Sequence, residues 1–183
     1  MNKTNIHFFG WVTLLLMPLP AYFALHYFKG VDVNTFFQVA NFKTIPVLYG
    51  LEFGIIYAFL ALLLLQAPVF KTIPLPIDKL VKDLKLNYLD AVFLSLCAGI
   101  GEELLFRSGI QTFLGVWITS FLFVAVHGYF SLKKIKMSLY GLVVLPFILV
   151  ISCGFEHFGL WFSVSAHFSY DLVFFLALIR SED

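Results

Sequence analysis

Residues 89–113 have the sequence LDAVFLSLCAGIGEELLFRSGIQTF, an apolar stretch long enough to cross a lipid bilayer as a helix. Glu102, Glu103 and Arg107 lie in its second half. An ionisable side chain at the centre of a membrane costs about 3 kcal/mol even by the lower estimates, so such residues face the inside of a helical bundle and mark functional sites. Three of them so close together indicate an active centre within the membrane.

The composition of the whole chain supports this interpretation. Hydrophobic residues make up 61% of the 183 residues and charged residues only 13%, whereas soluble domains contain about 25% charged residues. We therefore predict an all-α, polytopic membrane protein whose residues 1–183 form a single integral membrane domain. A net charge of +1 gives no indication of nucleic-acid binding. The two cysteines, Cys97 and Cys153, lie in apolar segments at different depths, and we expect no disulfide between them.

Apolar runs of sufficient length predict about six transmembrane helices. Each covers a hydrocarbon core of about 30 Å at about 1.5 Å per residue once the flanking turns are included. We expect Pro18 and Pro20 to kink the first helix. The predicted helices are Phe8–Phe28, Pro46–Ala67, Leu89–Phe113, Trp117–Phe130, Ser138–Gly154 and Phe158–Ile179.

Basic residues are distributed unevenly between the predicted loops. With a cytoplasmic N-terminus, nine of the 12 basic residues lie inside, two lie outside and Arg107 lies within the membrane. Such a bias predicts a multi-pass protein of the cell membrane with both termini in the cytoplasm. Residues 71–88 form either an amphipathic segment on the inner membrane surface or a plain solvated loop. The inside residues are Lys3, Lys71, Lys79, Lys82, Lys85, Lys133, Lys134, Lys136 and Arg180, and the outside ones are Lys29 and Lys43.

Four ionisable residues are predicted to lie at a similar depth. If the chain turns near Leu114–Gly115, Glu102 is about 12 residues before the turn and His127 about 12 residues after it. His167 and Asp171 occur at a comparable depth in the last predicted helix. Taken alone, a histidine in a membrane helix is commonly an interhelical hydrogen-bonding residue. The occurrence of four such groups at one level instead predicts a shared site.

Helical spacing suggests separate roles for the two adjacent carboxylates. Glu103 and Arg107 are four residues apart and share a helix face, which predicts a structural ion pair. Glu102 is turned by about 100° from Glu103 and is left free to act as a general base. Other charged residues near predicted helix ends need no catalytic explanation, and we expect Glu52, Glu156 and His157 to be rim residues.

Three short motifs resemble those of the CAAX-protease and bacteriocin-processing family, also called the CPBP or Abi family, of intramembrane glutamic endopeptidases. The first motif, EExxxR, corresponds to Glu102, Glu103 and Arg107. The second, FxxxH, corresponds to Phe123 and His127, and the third, HxxxN or HxxxD, corresponds to His167 and Asp171 after Gly159-Leu160-Trp161. All three occur in order, and the resemblance covers about residues 89–178.

The resemblance implies a bacterial intramembrane protease in which Glu102 and His127 activate water while His167 and Asp171 stabilise the oxyanion. Glu103, Arg107 and Phe123 would support these residues. Asp171 is a departure, because the eukaryotic prenyl-protein proteases of the family carry Asn there. An ionised Asp repels an oxyanion. Asp171 is therefore either protonated, and donates directly, or ionised, and orients His167.

The residues leave two further functions open. A metal-dependent protease would bind zinc through His127, His167 and either Glu102 or Asp171, a set that leaves a coordination position open. A protein without enzymatic activity would use the same cluster to relay protons or bind an ion, or would act as an immunity protein. Under the glutamate-dependent interpretation we expect no cofactor. The expected partners are the lipid bilayer and a peptide or membrane-anchored protein substrate, and no nucleophilic side chain is predicted, since Cys97 is turned away from Glu102.

Overall fold

The computed structural model describes residues 2–70, 76–130 and 135–181, and within these ranges all regular elements are helical. The all-α prediction is therefore confirmed. Lys71, Lys133 and Lys134, which contribute to the predicted orientation, lie outside the described residues. The helices are α1 (Lys3–Leu16), α2 (Pro18–Lys29), α3 (Val33–Phe37), a 3₁₀ turn (Val39–Asn41), α4 (Thr44–Leu65), α5 (Pro76–Leu84), α6 (Tyr88–Glu103), a π-helical segment (Leu104–Ile110), α7 (Gln111–Val126), α8 (Ile135–Phe158) and α9 (Leu160–Arg180).

The first predicted transmembrane helix is interrupted, as its prolines suggested. Helix α1 ends at Leu16, Met17 lies in a turn, and α2 begins at Pro18. Proline is suited to the first position of a helix because it lacks the backbone N–H that would have no partner there. Together α1 and α2 cover 27 residues and have the length and hydropathy of one membrane-spanning element.

The third and fourth predicted helices form one hairpin. Residues Tyr88–Val126 are helical on both sides of Gly115 and together span 39 residues, far more than one membrane crossing requires. Gly115 interrupts the helix with φ +73° and ψ 175°. Oε2 of Glu102 lies 3.3 Å from Nε2 of His127, although 25 residues of straight helix would extend about 38 Å. The chain therefore reverses at Gly115, where the turn was predicted.

Five helical stretches of the described residues are long and apolar enough to cross a membrane, compared with the six that the sequence predicted. The difference in number arises because the third and fourth predicted helices, which form the hairpin, are counted together as the one stretch Tyr88–Val126. The stretches are Lys3–Lys29, Thr44–Leu65, Tyr88–Val126, Met137–Phe158 and Leu160–Arg180.

Helix α9 is the most buried of these stretches and packs against α4, α6 and α8. Its contact with α4 depends on Gly50 and Gly54, because a Cβ atom at either position would overlap the backbone carbonyl of Phe162 or Ala166. Lipid is as apolar as the side chains that it solvates, so membrane helices associate through such close contacts. The tight seam fixes the position of α9, which carries two of the predicted site residues.

Residues 76–84, part of the segment with two predicted interpretations, form the amphipathic helix α5. Its Val81 and Leu84 are buried in a cluster with Phe175 and Ile179 of α9. A plain solvated loop is therefore the wrong prediction for these residues. The preceding residues 71–75 lie outside the described part of the chain.

Candidate active site

Glu102 and Glu103 lie at the end of α6, where the backbone changes to the π-helical segment. Short π-helical segments within α-helices occur frequently at functional sites. The side chains of Glu103 and Arg107 are both fully buried, and Nε of Arg107 donates a hydrogen bond of 2.8 Å to Oε2 of Glu103. The ion pair that the spacing predicted is therefore present.

The carboxylate of Glu103 has a second partner that the sequence did not indicate. Its Oε1 lies 2.8 Å from Nδ1 of His167, and because a carboxylate accepts, Nδ1 carries the hydrogen. The guanidinium carbon of Arg107 lies 5.2 Å from the ring centroid of Phe123, within the range of a cation–π contact. Glu103 thus connects α9 to the π-helical segment, and Phe123 of α7 lies against the buried cation.

Glu102 contacts a different histidine. Its Oε2 lies 3.3 Å from Nε2 of His127, a close ion-pair distance without the alignment of a hydrogen bond. On the other side of the imidazole, Nδ1 donates to the backbone oxygen of Phe123 at 2.7 Å. This bond assigns the hydrogen to Nδ1, so that Nε2 is the nitrogen directed at the carboxylate. The ring of Phe123 stacks on the imidazole at 4.4 Å between centroids.

His167 and Asp171 are neighbours on α9, as their spacing predicted. Nε2 of His167 lies 3.5 Å from Oδ2 of Asp171, so the two imidazole nitrogens of His167 face two different carboxylates. Glu103 is fully buried, whereas 23% of the Asp171 side chain is exposed. Of these two carboxylates, Asp171 is therefore the one accessible to a substrate.

Glu102, His127, His167 and Asp171 all line one cavity of about 480 Å³. The four residues predicted to lie at one depth are thus brought together around one cavity. Most of the remaining lining is apolar and comes from α1, α5, α6, α8 and α9. Its other residues are Ile6, Phe9, Gly10, Thr13, Ile77, Leu80, Leu94, Cys97, Ala98, Phe123, Tyr129, Tyr140, Val144, Phe147, Ile148, Tyr170, Phe174 and Phe175.

The metal-binding alternative required three ligands around one point. Within the part of the chain that the structure describes, no three His, Cys, Asp or Glu side chains are arranged to hold a metal ion. Instead, the two histidines belong to two separate pairs. His127 faces Glu102, and His167 faces Glu103. The arrangement is suited to proton transfer and hydrogen bonding between these groups.

The other residues whose place was predicted from the sequence do not belong to the group of Glu102, His127, His167 and Asp171, although one of them, Cys97, lines the same cavity. Glu52, Glu156 and His157 are exposed, as expected for rim residues. Cys97 and Cys153 are both free thiols. Cys97 was expected to be turned away from Glu102, yet it lines the same cavity, because the cavity extends along α6 beyond the cluster.

Several features of the site were missed by the sequence analysis. Tyr129, Tyr140 and Tyr170 line the cavity. Of these, only Tyr129 could have been found from the sequence, because it follows a glycine close to the predicted end of a helix. The apolar wall contributed by α1 and α5 had no signal, because no motif connects these helices to the charged residues. Long-range packing alone brings them to the site.

Comparison with known proteins agrees with the motifs. Residues 85–173, which contain all four residues of the cluster, match the family described as type II CAAX prenyl endopeptidase Rce1-like. YpbD of Bacillus subtilis, an uncharacterized protein, is 32% identical over 84 residues, which cover 45% of this chain and 42% of that protein. No solved structure matches the chain significantly. The resemblance is therefore confirmed for the segment that carries the charged cluster, which is similar to the Rce1-like type II CAAX prenyl endopeptidase family.

Proposed function

We propose that this protein is an intramembrane endopeptidase that hydrolyses a peptide bond with a water molecule activated by Glu102 and His127. The observation that supports this most directly is the shared cavity. Its lining contains two carboxylates and two histidines and is otherwise mainly apolar. The endopeptidase description of the matching family agrees with this chemistry.

Glu102 is the proposed general base. A base must reach the proton that it removes and must not be neutralised by a permanent partner. Oε2 of Glu102 is close to Nε2 of His127 but has no aligned hydrogen bond within the described residues. A water molecule that contacts both groups would transfer a proton to Glu102 as its oxygen attacks the substrate carbonyl. His127 would hold that water, and the proton that Glu102 takes from it would then pass to the leaving amine as the C–N bond of the peptide breaks.

His167 is the proposed oxyanion donor. Because its Nδ1–H is already bonded to Glu103, donation to the oxyanion requires a hydrogen on Nε2 as well, and therefore the imidazolium form. The carboxylate of Glu103 favours this form by direct contact. Glu103 also fixes the orientation of the ring, so that Asp171 is not needed for that task. Asp171 is then available for the other role that was left open, in which its protonated carboxyl group donates a second hydrogen bond to the oxyanion.

The substrate would be a peptide or a membrane-anchored protein whose cleavage site enters the cavity from the cytoplasmic side. Ile6 of α1 and Ile77 of α5 line the cavity near the end of the bundle where the charge distribution predicts the cytoplasm. We further propose that the protein is a multi-pass protein of a bacterial cell membrane with both termini inside. No metal or other cofactor is required by this mechanism.

The central test is the Glu102→Gln variant. Its amide is nearly the same size as the carboxylate but does not accept a proton at neutral pH. The measurement is a comparison of membrane-derived peptides from cells producing the wild-type protein, Glu102→Gln, or the matched control Glu52→Gln, whose side chain is exposed on α4. We expect peptides that appear with the wild type and with Glu52→Gln but not with Glu102→Gln.

Two results would refute the proposal or redirect it. Identical peptides from Glu102→Gln and wild-type cells would eliminate Glu102 as the base. Loss of cleavage by the purified wild type on chelation, with recovery on addition of zinc, would favour the metal-dependent alternative.

A further inference from the structure

Tyr129, two residues after His127, has a fixed position in the fold. Helix α7 ends with a Schellman motif in which Gly128 adopts φ +74°. The N–H of Gly128 donates to the carbonyl of Ala125 at 2.9 Å, and the N–H of Tyr129 donates to that of Val124 at 3.3 Å. The backbone of residues 127–129 is thus determined by the helix end, and Tyr129 is directed back towards the helix.

The side chain of Tyr129 lies against the imidazole of His127. The two rings are nearly parallel, with centroids 5.8 Å apart and an interplanar angle of 18°. Phe123 is also stacked on this imidazole, at 4.4 Å and 22°. Tyr129 is itself supported by Tyr140 of α8, whose ring meets it edge-on at 5.0 Å and 84° and whose side chain is buried.

The imidazole needs this support because its hydrogen bonds fix only part of its orientation. The bond from Nδ1 to the carbonyl of Phe123 holds one nitrogen, but the ring can still tilt about that contact. The contact of Nε2 with Glu102 at 3.3 Å is not an aligned hydrogen bond and restrains the tilt weakly. Aromatic rings that lie parallel to the imidazole restrict the tilt directly.

We infer that Tyr129 is a positioning residue: its ring, placed by the Schellman motif and supported by Tyr140, holds the imidazole of His127 so that Nε2 remains directed at Glu102. This inference rests on the proposed function and extends it to a residue outside the acid–base groups. The ring performs the task, and the phenolic hydroxyl is not required.

The inference predicts different results for two substitutions of Tyr129. The rates are measured on the substrate whose cleavage peptides appear with the wild type and not with Glu102→Gln. Tyr129→Phe keeps the ring and should retain kcat on this substrate within about twofold. Tyr129→Leu removes the ring and should lower kcat by about tenfold or more, because a small misplacement of a catalytic group costs up to about 10²-fold. KM should change less than kcat. Tyr49→Leu is the matched control, since Tyr49 also makes an edge-on contact with an aromatic ring, that of Phe158, but away from the cavity.

A spectroscopic measurement tests the same inference without reference to activity. The chain has five histidines, so the ¹⁵N signals of His127 can be assigned by their loss in His127→Ala. In the wild type and Tyr129→Phe, these signals should indicate a hydrogen on Nδ1 and one fixed environment. In Tyr129→Leu the Nδ1 signal should still indicate a bound hydrogen, because the bond to the Phe123 carbonyl remains, but the Nε2 signal should show exchange between several environments.

The outcomes separate this inference from the proposed function. If His127→Ala cleaves like the wild type, the proposed function fails, and the ¹⁵N signals still decide whether Tyr129 positions the ring. Unchanged His127 signals in Tyr129→Leu would overturn the inference even if cleavage depends on His127. An equal loss of kcat in Tyr129→Phe and Tyr129→Leu would also overturn it, because it would assign the effect to the hydroxyl.

Discussion

Glu103→Gln should destabilise the protein strongly, although it changes only one oxygen atom to an NH₂ group. The carboxylate of Glu103 accepts from Arg107 Nε and from His167 Nδ1, each at 2.8 Å, and both it and Arg107 are fully buried. An amide has a single acceptor oxygen, so one of the two donors loses its partner. The guanidinium also loses its negative counter-charge, and the nearby ring of Phe123 does not replace a full charge.

The size of the effect follows from the burial of the pair. Removing one partner of a buried ion pair costs about 3–5 kcal/mol, a large part of the about 5–15 kcal/mol by which proteins are stable. For a chain of this length, each kcal/mol lowers the melting temperature by about 2–4 °C. The expected decrease is therefore about 6–20 °C, with a lower yield of folded protein.

The assay is the melting temperature of the purified protein in detergent, measured as the fraction that remains monodisperse after heating. Glu52→Gln is the control, and it should melt within about 2 °C of the wild type because surface substitutions rarely change stability by more than about 0.5 kcal/mol. The double variant Glu103→Gln/Arg107→Met removes both charges and should recover part of the loss. If Glu103→Gln melts like the wild type, the pair does not stabilise the bundle and the reasoning from its burial is wrong.

Three further predictions concern the site, the orientation and the packing. If Asp171 donates to the oxyanion, Asp171→Asn should retain or raise cleavage and reduce its loss at high pH, whereas Asp171→Leu should lower the rate by about 10²-fold or more; a wild-type pH profile for Asp171→Leu would place the residue outside the reaction. Single cysteines at Thr35 and Ser181, introduced after removal of the native cysteines, should react with impermeant reagents from opposite sides of the membrane, and labelling from one side would contradict the predicted topology. Gly54→Leu should lower the melting temperature by separating α4 from α9, because its side chain would overlap the carbonyl of Ala166; an unchanged melting temperature would show that this contact is dispensable.

Much of this arrangement follows from helix geometry that a sequence contains. A rise of about 1.5 Å per residue was sufficient to place Glu102 level with His127 across the turn at Gly115. The spacing of four residues was sufficient to pair Glu103 with Arg107. These predictions depend only on distances along one helix or across one turn, and local rules determine both.

Other features depend on interactions that local rules do not contain. The bond between Glu103 and His167 joins residues 64 positions apart and requires a particular rotation of α9, which is set by its close contact with Gly50 and Gly54 of α4. The π-helical segment after Glu103 is a shift in backbone hydrogen bonding that hydropathy does not reveal.

The carboxylates within the membrane-spanning stretches differ in how fully their charges are compensated, and this difference separates stability from chemistry. Asp90 accepts from Lys3 and contacts Nε2 of His7, each at 2.8 Å, and Glu103 has two partners at the same distance. Such carboxylates are compensated and hold helices together. Glu102 and Asp171 face one histidine each, at 3.3 and 3.5 Å, and both line the cavity. Because proton transfer needs a group that can gain or lose a proton without breaking the fold, we expect neutral substitutions of the first two to lower stability and those of Glu102 and Asp171 to alter cleavage.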